Sequence, residues 1–298
     1  GGAAEEAAAA LTHGPVARAL LSLLAPGWSW PRSIKLRVPV LKALACMARA
    51  ASTRGGARRA LEEAGLTEIC LASLCDGVIS GEGMSMREAA ALALDSLVEG
   101  GGGQELGLKH PGTLRVVLAA SRDPDIGRES VVREGTARAA PILGILAALL
   151  DAVVTGLGTG RAGADGPARA QTCLTECLDA NLLSLLSSTL TKVEMSPGLS
   201  QGNAVLATQC HRLVASLFAL AFTEVDGATA AGCRRLLTAV AHTSRGRGGT
   251  SIVTSMVGIV LLAADSGGSA GGGVPAHTSA LLASGLAALA HACGTSLP

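Results

Sequence analysis

A short helix closing on glycine, an apolar helix, a loop and a long helix follow one another along this chain, and the order starts again about every forty to fifty residues. The first round is the clearest. GGARRALEEAGLTEICLASLCDG at 55–77 gives a short helix ending at Ala64-Gly65, then an apolar helix through Leu66, Ile69 and Leu74; MSMREAAALALDSLVE at 84–99 gives the long third helix. The order resumes at Gln104-Glu105-Leu106, runs through TLRVVLAAS at 113–121 and reaches a long helical region from Pro124 to Thr155. A third round runs from Pro167 through Leu190 to a long helix near 203–223, and a fourth from near Ala228 into SIVTSMVGIVLLAA at 251–264. Units of this length bury their apolar faces only against their neighbours, so the pattern predicts helices stacked in one dimension. Such growth also escapes the limit on a single core, which beyond roughly 250 residues usually divides or extends.

Composition agrees with helix. Nearly half of the 298 residues are apolar, dominated by Ala and Leu, and the aromatic residues are Trp28, Trp30, Phe218 and Phe222 alone. Alanine and leucine are strong helix formers, whereas the β-branched and aromatic runs that build sheets are scarce. Pro15, Pro124 and Pro167 stand where helices could begin, Asp123 suits a cap, and Gly27, Gly65 and Gly100 stand where helices could end. In LRVPVLKALACMARAA at 36–51, helical spacing puts Leu41, Leu44, Ala45 and Ala48 on one face.

EEAGLTEICLASL followed by MREAAALALDSLVEGG resembles the armadillo repeat in order, spacing and small-residue positions. The resemblance implies an all-α fold, a right-handed α-solenoid of armadillo/HEAT-like repeats. Where peptide-binding armadillo proteins such as importin-α carry tryptophan and asparagine on the third helix, this chain has Leu92 and Ser96, so an asparagine ladder clamping an extended peptide is not expected. Over most of the chain, IKLRVPVLKALACMARAAS, REAAALALDSLVEGGGGQEL, TECLDANLLSLLSSTLTKVE and CHRLVASLFALAFTEVDG resemble helices of the UCS-family myosin chaperones, more in element order than in identity. That resemblance implies a chaperone for folding or assembly of a myosin motor. Family members with an amino-terminal TPR module also engage Hsp90, and no such module is visible here. If the register holds, Leu92, Asp95 and Ser96 lie on the partner-binding surface, with Arg212 and Phe218 as their later counterparts.

Glycine-rich stretches interrupt the array at 156–166, GLGTGRAGADG, and at 267–273, GGSAGGG, and read as surface insertions because so much glycine is costly to hold in one conformation. The expected organisation is a first solenoid segment over 1–157, an insertion over 158–166 and a second segment over 167–298. The uncharged run from Gly248 to Ala264, preceded by Arg245 and Arg247, has the flank of a membrane span; its Thr250, Ser251, Thr254 and Ser255 and its length point to a buried solenoid helix instead. No membrane partner is expected.

A net charge of +1, from 24 basic and 23 acidic residues, gives no field to attract nucleic acid, and few aromatics are available for base stacking. The basic cluster SRGRGG reads as a solvated loop. Eight cysteines without a framework suit free thiols and a cytoplasmic setting. The chain opens on Gly1 rather than methionine, which points to processing or truncation upstream.

Motifs with chemical meaning lack their context. GLSQG at 198–202 and GGSAG at 267–271 match GxSxG, but a nucleophile elbow needs a strand before the serine and an acid and histidine after it. GTGRAG at 158–163 matches GxGxxG, but the run before it, PILGILAALLDAVV, has the length of a helix rather than a strand. Cys173 and Cys177, and approximately Cys70 and Cys75, share helix faces without the further ligands that zinc requires. His211 beside Cys210 points away from it on a helix, and Arg58-Arg59 with Glu62-Glu63 reads as a charged face. The sequence therefore predicts no catalytic, cofactor or metal residue and a non-enzymatic protein binder. A structural scaffold subunit of a larger ciliary or organellar assembly is the alternative, and a nucleotide-binding enzyme using 156–166 the third.

Overall fold

In the computed structural model, residues 14–24, 32–51, 55–75, 81–99, 102–103, 106–107, 110, 112–122, 139–159, 165–196, 199–222, 235–236, 238, 240, 252–268 and 276–292 are described. They form an all-helical protein, with no strand among the described residues. The helices are α1 (Gly14–Ser22), α2 (Arg32–Ala51), α3 (Gly55–Glu63), α4 (Leu66–Cys75), α5 (Gly81–Val98), α6 (Thr113–Ser121), α7 (Ala139–Gly158), α8 (Gly166–Asp179), α9 (Leu182–Glu194), α10 (Gln201–Ala221), α11 (Ile252–Gly268) and α12 (Ala276–Ala292). Two compact units divide them, Gly1–Ala120 and Ser121–Pro298. The division falls at Ala120 rather than in the glycine-rich 158–166. On either side of that stretch α7 continues through Gly158, α8 opens on Gly166, and the two helices pack together.

In the first unit α2 lies along α5, and α4 packs on α5. The predicted stripe on α2 is the contact face, with Leu41, Leu44, Ala45 and Ala48 all buried. Opposite it α5 buries Ala89, Ala90, Ala93, Leu94 and Leu97, and side chains this small let the two backbones approach closely. Pro39 sits on the exposed side of α2, where water can serve the carbonyl that loses its helical donor. Gly65 joins α3 to α4 in the left-handed region, φ 91°, and its N–H donates to the Glu62 carbonyl at 3.0 Å. A side chain there would be strained, which is why the helix stops on glycine.

In the second unit α10 is central: α7 packs on one side and α12 on the other, while α9 packs on α11. Each of Leu143, Leu146, Leu150, Leu206, Leu213 and Leu217 is fully buried, worth about 1.5–3 kcal/mol apiece against exposure. Local chemistry sets the helix ends. Pro167 occupies the first turn of α8, where no N–H is needed. Asn181, φ 57°, makes the tight turn into α9, a conformation asparagine tolerates better than most residues. Ser200 caps α10, its Oγ accepting from the Asn203 N–H at 3.2 Å. At the other end of α8, Arg122 donates to the Asp179 carbonyl at 3.1 Å and Arg235 to the Asp179 carboxylate at 3.0 Å, placing two cations at a helix C-terminus.

Helices α7 and α10 are long and apolar enough to cross a membrane by length and composition, and both are mostly buried within the unit. The uncharged run read as a solenoid helix is α11, a shorter apolar helix on α9 and α12. Gly27, Gly100, Asp123-Pro124, Arg245-Gly-Arg247 and the serine of GGSAG lie outside the described residues.

Candidate functional site

Beyond its first turn, α10 leaves unburied Val205, Thr208, Gln209, Arg212, Ala215, Ala219 and Phe222, the last just past the helix end, a set at helical spacing. Arg212 is tied down across the helices. Its Nη2 donates to Asp151 Oδ2 on α7 at 2.5 Å, its Nε to the same oxygen at 3.2 Å, and its Nη1 to Gln209 Oε1 at 3.1 Å. Ser216 Oγ donates to the other oxygen, Asp151 Oδ1. The network satisfies a lone acid in the otherwise apolar α7 and a lone arginine in α10 while leaving both side chains over a third exposed. It presents a fixed polar patch, with exposed apolar Val205 and Phe222 on the same stripe.

On α5 the corresponding face is Glu88, Leu92, Asp95 and Glu99, an acidic stripe interrupted by one leucine. Of the residues expected on the binding surface, Leu92, Asp95 and Arg212 are partly exposed and Ser96 and Phe218 are not. Ser96 is 1 % exposed and its hydroxyl donates to the Leu92 carbonyl at 2.8 Å, so it is spent on its own helix. Phe218 is 4 % exposed; it stacks on Phe222 with ring centroids 6.4 Å apart, and Phe222 is the ring that reaches solvent. Ser96 and Phe218 are therefore core side chains of their helices. Leu92, Asp95 and Ser96 belong to the first unit and Arg212 and Phe218 to the second.

Sequence reading missed Asp151, Gln209 and Phe222. A signal for Asp151 existed, since a single carboxylate inside an apolar twenty-residue helix must find a cation or stay solvated.

A concavity of about 350 Å³ in the first unit is lined by Glu62, Glu63, Thr67, Glu68, Val98 and His110. Arg58 pairs with Glu62 at 2.9 Å, as the near-neighbour spacing predicted, and its guanidinium lies so close over Gly102 that a β-carbon there would fall 2.1 Å from Nη2. His110 Nε2 stands 3.8 Å from Glu68 Oε1. No group of three His, Cys, Asp or Glu among the described residues is arranged to hold a metal.

Reactive groups are muted. Burial pushes the Cys70, Cys177 and Cys210 thiols well above their ordinary range, and Cys173 is raised by burial and then by Glu176. His211 is lowered to about 4 by burial, so neighbouring Cys210 and His211 are both neutral near pH 7, unlike a thiolate–imidazolium pair. Ser200 of GLSQG is a helix cap, and the segment before GTGRAG is helix α7. No protein-family model, no curated protein and no solved structure matches this chain.

Proposed function

We propose that the chain is a non-catalytic α-solenoid that binds a protein partner along its long-helix faces. The observation that carries this is the serial packing in the second unit: α7 packs on α10 and α10 on α12, while α9 packs on α11. Serial pairing of helices is what repeat proteins use to grow an extended surface. The face so formed combines an immobilised arginine with exposed Val205 and Phe222, a mixture suited to protein contact, where aromatic and arginine anchors carry much of the energy. Its most specific form, resting on the segment resemblances, is a UCS-type chaperone for a myosin motor in the cytoplasm, with Hsp90 engaged through a module outside this chain. No cofactor, nucleic acid or membrane is needed for that role.

Affinity capture from lysate with the purified chain tests it. Recovery of myosin heavy chain, lost with Arg212→Glu and Leu92→Glu at unchanged helicity, supports the chaperone; enrichment of other proteins without any myosin overturns it. A structural subunit of a larger assembly is the second reading, favoured by Leu261 and Val257 exposed on α11 and Leu286 exposed on α12. Apolar side chains of this kind suit a permanent neighbour, and stoichiometric copurification with one protein would select that reading over client release.

A further inference from the structure

Helices α10, α11 and α12 meet at His211, Val260 and Gly285. A β-carbon on Gly285 would stand 2.4 Å from Val260 Cγ2 and 3.1 Å from His211 Nδ1, so the imidazole fills the space the glycine leaves. His211 is fully buried, and neither ring nitrogen makes a well-formed hydrogen bond, the Leu281 backbone being the polar group that acts on the ring. Enclosing nitrogens so poorly paired costs stability that a leucine of similar size would not forfeit. The neutral ring bears that cost; a protonated ring would bear much more, because a buried charge needs a counter-charge.

Among the described side chains none faces it. On α11 and α12 the titratable residues are Asp265, His277 and His291, toward the helix ends, and 252–264 and 278–290 between them carry none. The charge on α7 is Asp151, held by Arg212 and Ser216. On α8 the titratable groups are Arg169, Cys173, Glu176, Cys177 and Asp179, the last taken by Arg235, and on α9 they are Lys192 and Glu194. Glu194 lies against Gly258 of α11, away from the junction at Val260 and Gly285. On α10 itself, Cys210 is buried and neutral and Arg212 faces α7. Burial accordingly depresses the ring to about 4, with the Leu281 backbone offsetting a part.

We propose that His211 is an acid-operated latch: neutral, it lets α12 seat against α10 and α11, and protonated, it drives α12 off them. The switch opens the α10–α12 contact without touching the Asp151–Arg212 patch. The device rests on the local geometry and stands whether or not the solenoid binds the proposed partner.

Hydrogen exchange of the intact chain, read by mass spectrometry at pH 7.5 and 5.0 and normalised for intrinsic rates, tests it. With an open-state histidine near 6.5, opening of α12 should rise about 30-fold between those pH values, while α8 and α9 change little. His211→Leu should abolish the increase. His211→Gln, also uncharged at every pH, provides the same test if the leucine variant does not fold. Equal acid opening in either variant, or unchanged protection of α12 in the wild type, overturns the latch.

Discussion

Three helical glycines provide a graded test of helix placement in the second unit. Replacing an interior glycine by alanine in a helix gains about 0.5–1 kcal/mol, because alanine loses less conformational freedom on folding. What the new methyl meets decides whether the gain survives. At Gly202 in the first turn of α10 there is nothing within 4 Å, and Gly202→Ala should raise stability by a few tenths to about 1 kcal/mol. At Gly258 the methyl would fall 2.5 Å from Glu194 Oε1, the mobile end of a long side chain that can turn aside, so Gly258→Ala should be close to neutral. At Gly285 the obstacles are Val260 Cγ2 at 2.4 Å and the His211 ring at 3.1 and 3.2 Å. Valine is stiff at χ1 and the imidazole is enclosed, so neither yields cheaply. Overpacking of this kind costs about 1–3 kcal/mol and outweighs the helical gain, for a net loss of roughly 1 kcal/mol. In a domain of this size that lowers the melting temperature by about 2–4 °C, measurable by circular dichroism at 222 nm. Val260→Ala in the Gly285→Ala background should recover part of the loss. If Gly285→Ala melts at or above the wild type, the α10–α11–α12 junction is not as described.

The latch also has a thermodynamic signature. His211 is depressed to about 4 from an ordinary 6.5, so the unfolded chain binds its proton first, and stability present above pH 6.5 is lost as pH falls toward 4. The loss amounts to about 2 kcal/mol between pH 7.5 and 5.0, seen as a drop in urea midpoint that His211→Leu removes. Native alkylation followed by peptide mapping should label exposed Cys46 and Cys75 quickly, and leave buried Cys70, Cys177 and Cys210 unmodified until denaturant is added. Leu92→Glu should change stability by less than about 1 kcal/mol, whereas Phe218→Glu buries an unpaired carboxylate and should cost several kcal/mol; equal melting curves would refute the burial of Phe218. Asp151→Ala should cost about 1 kcal/mol, limited by the exposure of the pair, and free Arg212 for exchange in a side-chain NMR experiment.

The helices were legible because their signals are local. Gly65 must be glycine where φ is positive, Pro167 can open a helix but not continue one, and Leu41, Leu44, Ala45 and Ala48 recur at helical spacing. Each fact concerns neighbours along the chain. The exposed face of α10 was half legible for the opposite reason. Nearly every side chain there is small or apolar, so period alone does not say which face is buried, nor that Phe218 is enclosed while Phe222 at the helix end reaches solvent. Glycine-rich composition misled at 156–158, where α7 persists because Gly156 is buried and packing outweighs low propensity.

Polarity sets the outward side of α7 and α10. Asp151 and Arg212 lie sixty-one residues apart, and each is isolated within its own helix; their pairing fixes which side of α7 and α10 meets solvent. His211 is the neighbouring residue on α10 and receives the opposite treatment, enclosed without a well-formed hydrogen bond. Consecutive residues of α10 thus carry an outward-facing cation and a buried, protonatable ring. Because adjacent positions on a helix diverge by about a hundred degrees, one can present a fixed patch while the other governs a contact on the far side. A partner that engages Arg212 therefore binds a helix whose contact with α12 is set separately by pH, and substitutions at the two positions should act additively on binding at neutral pH.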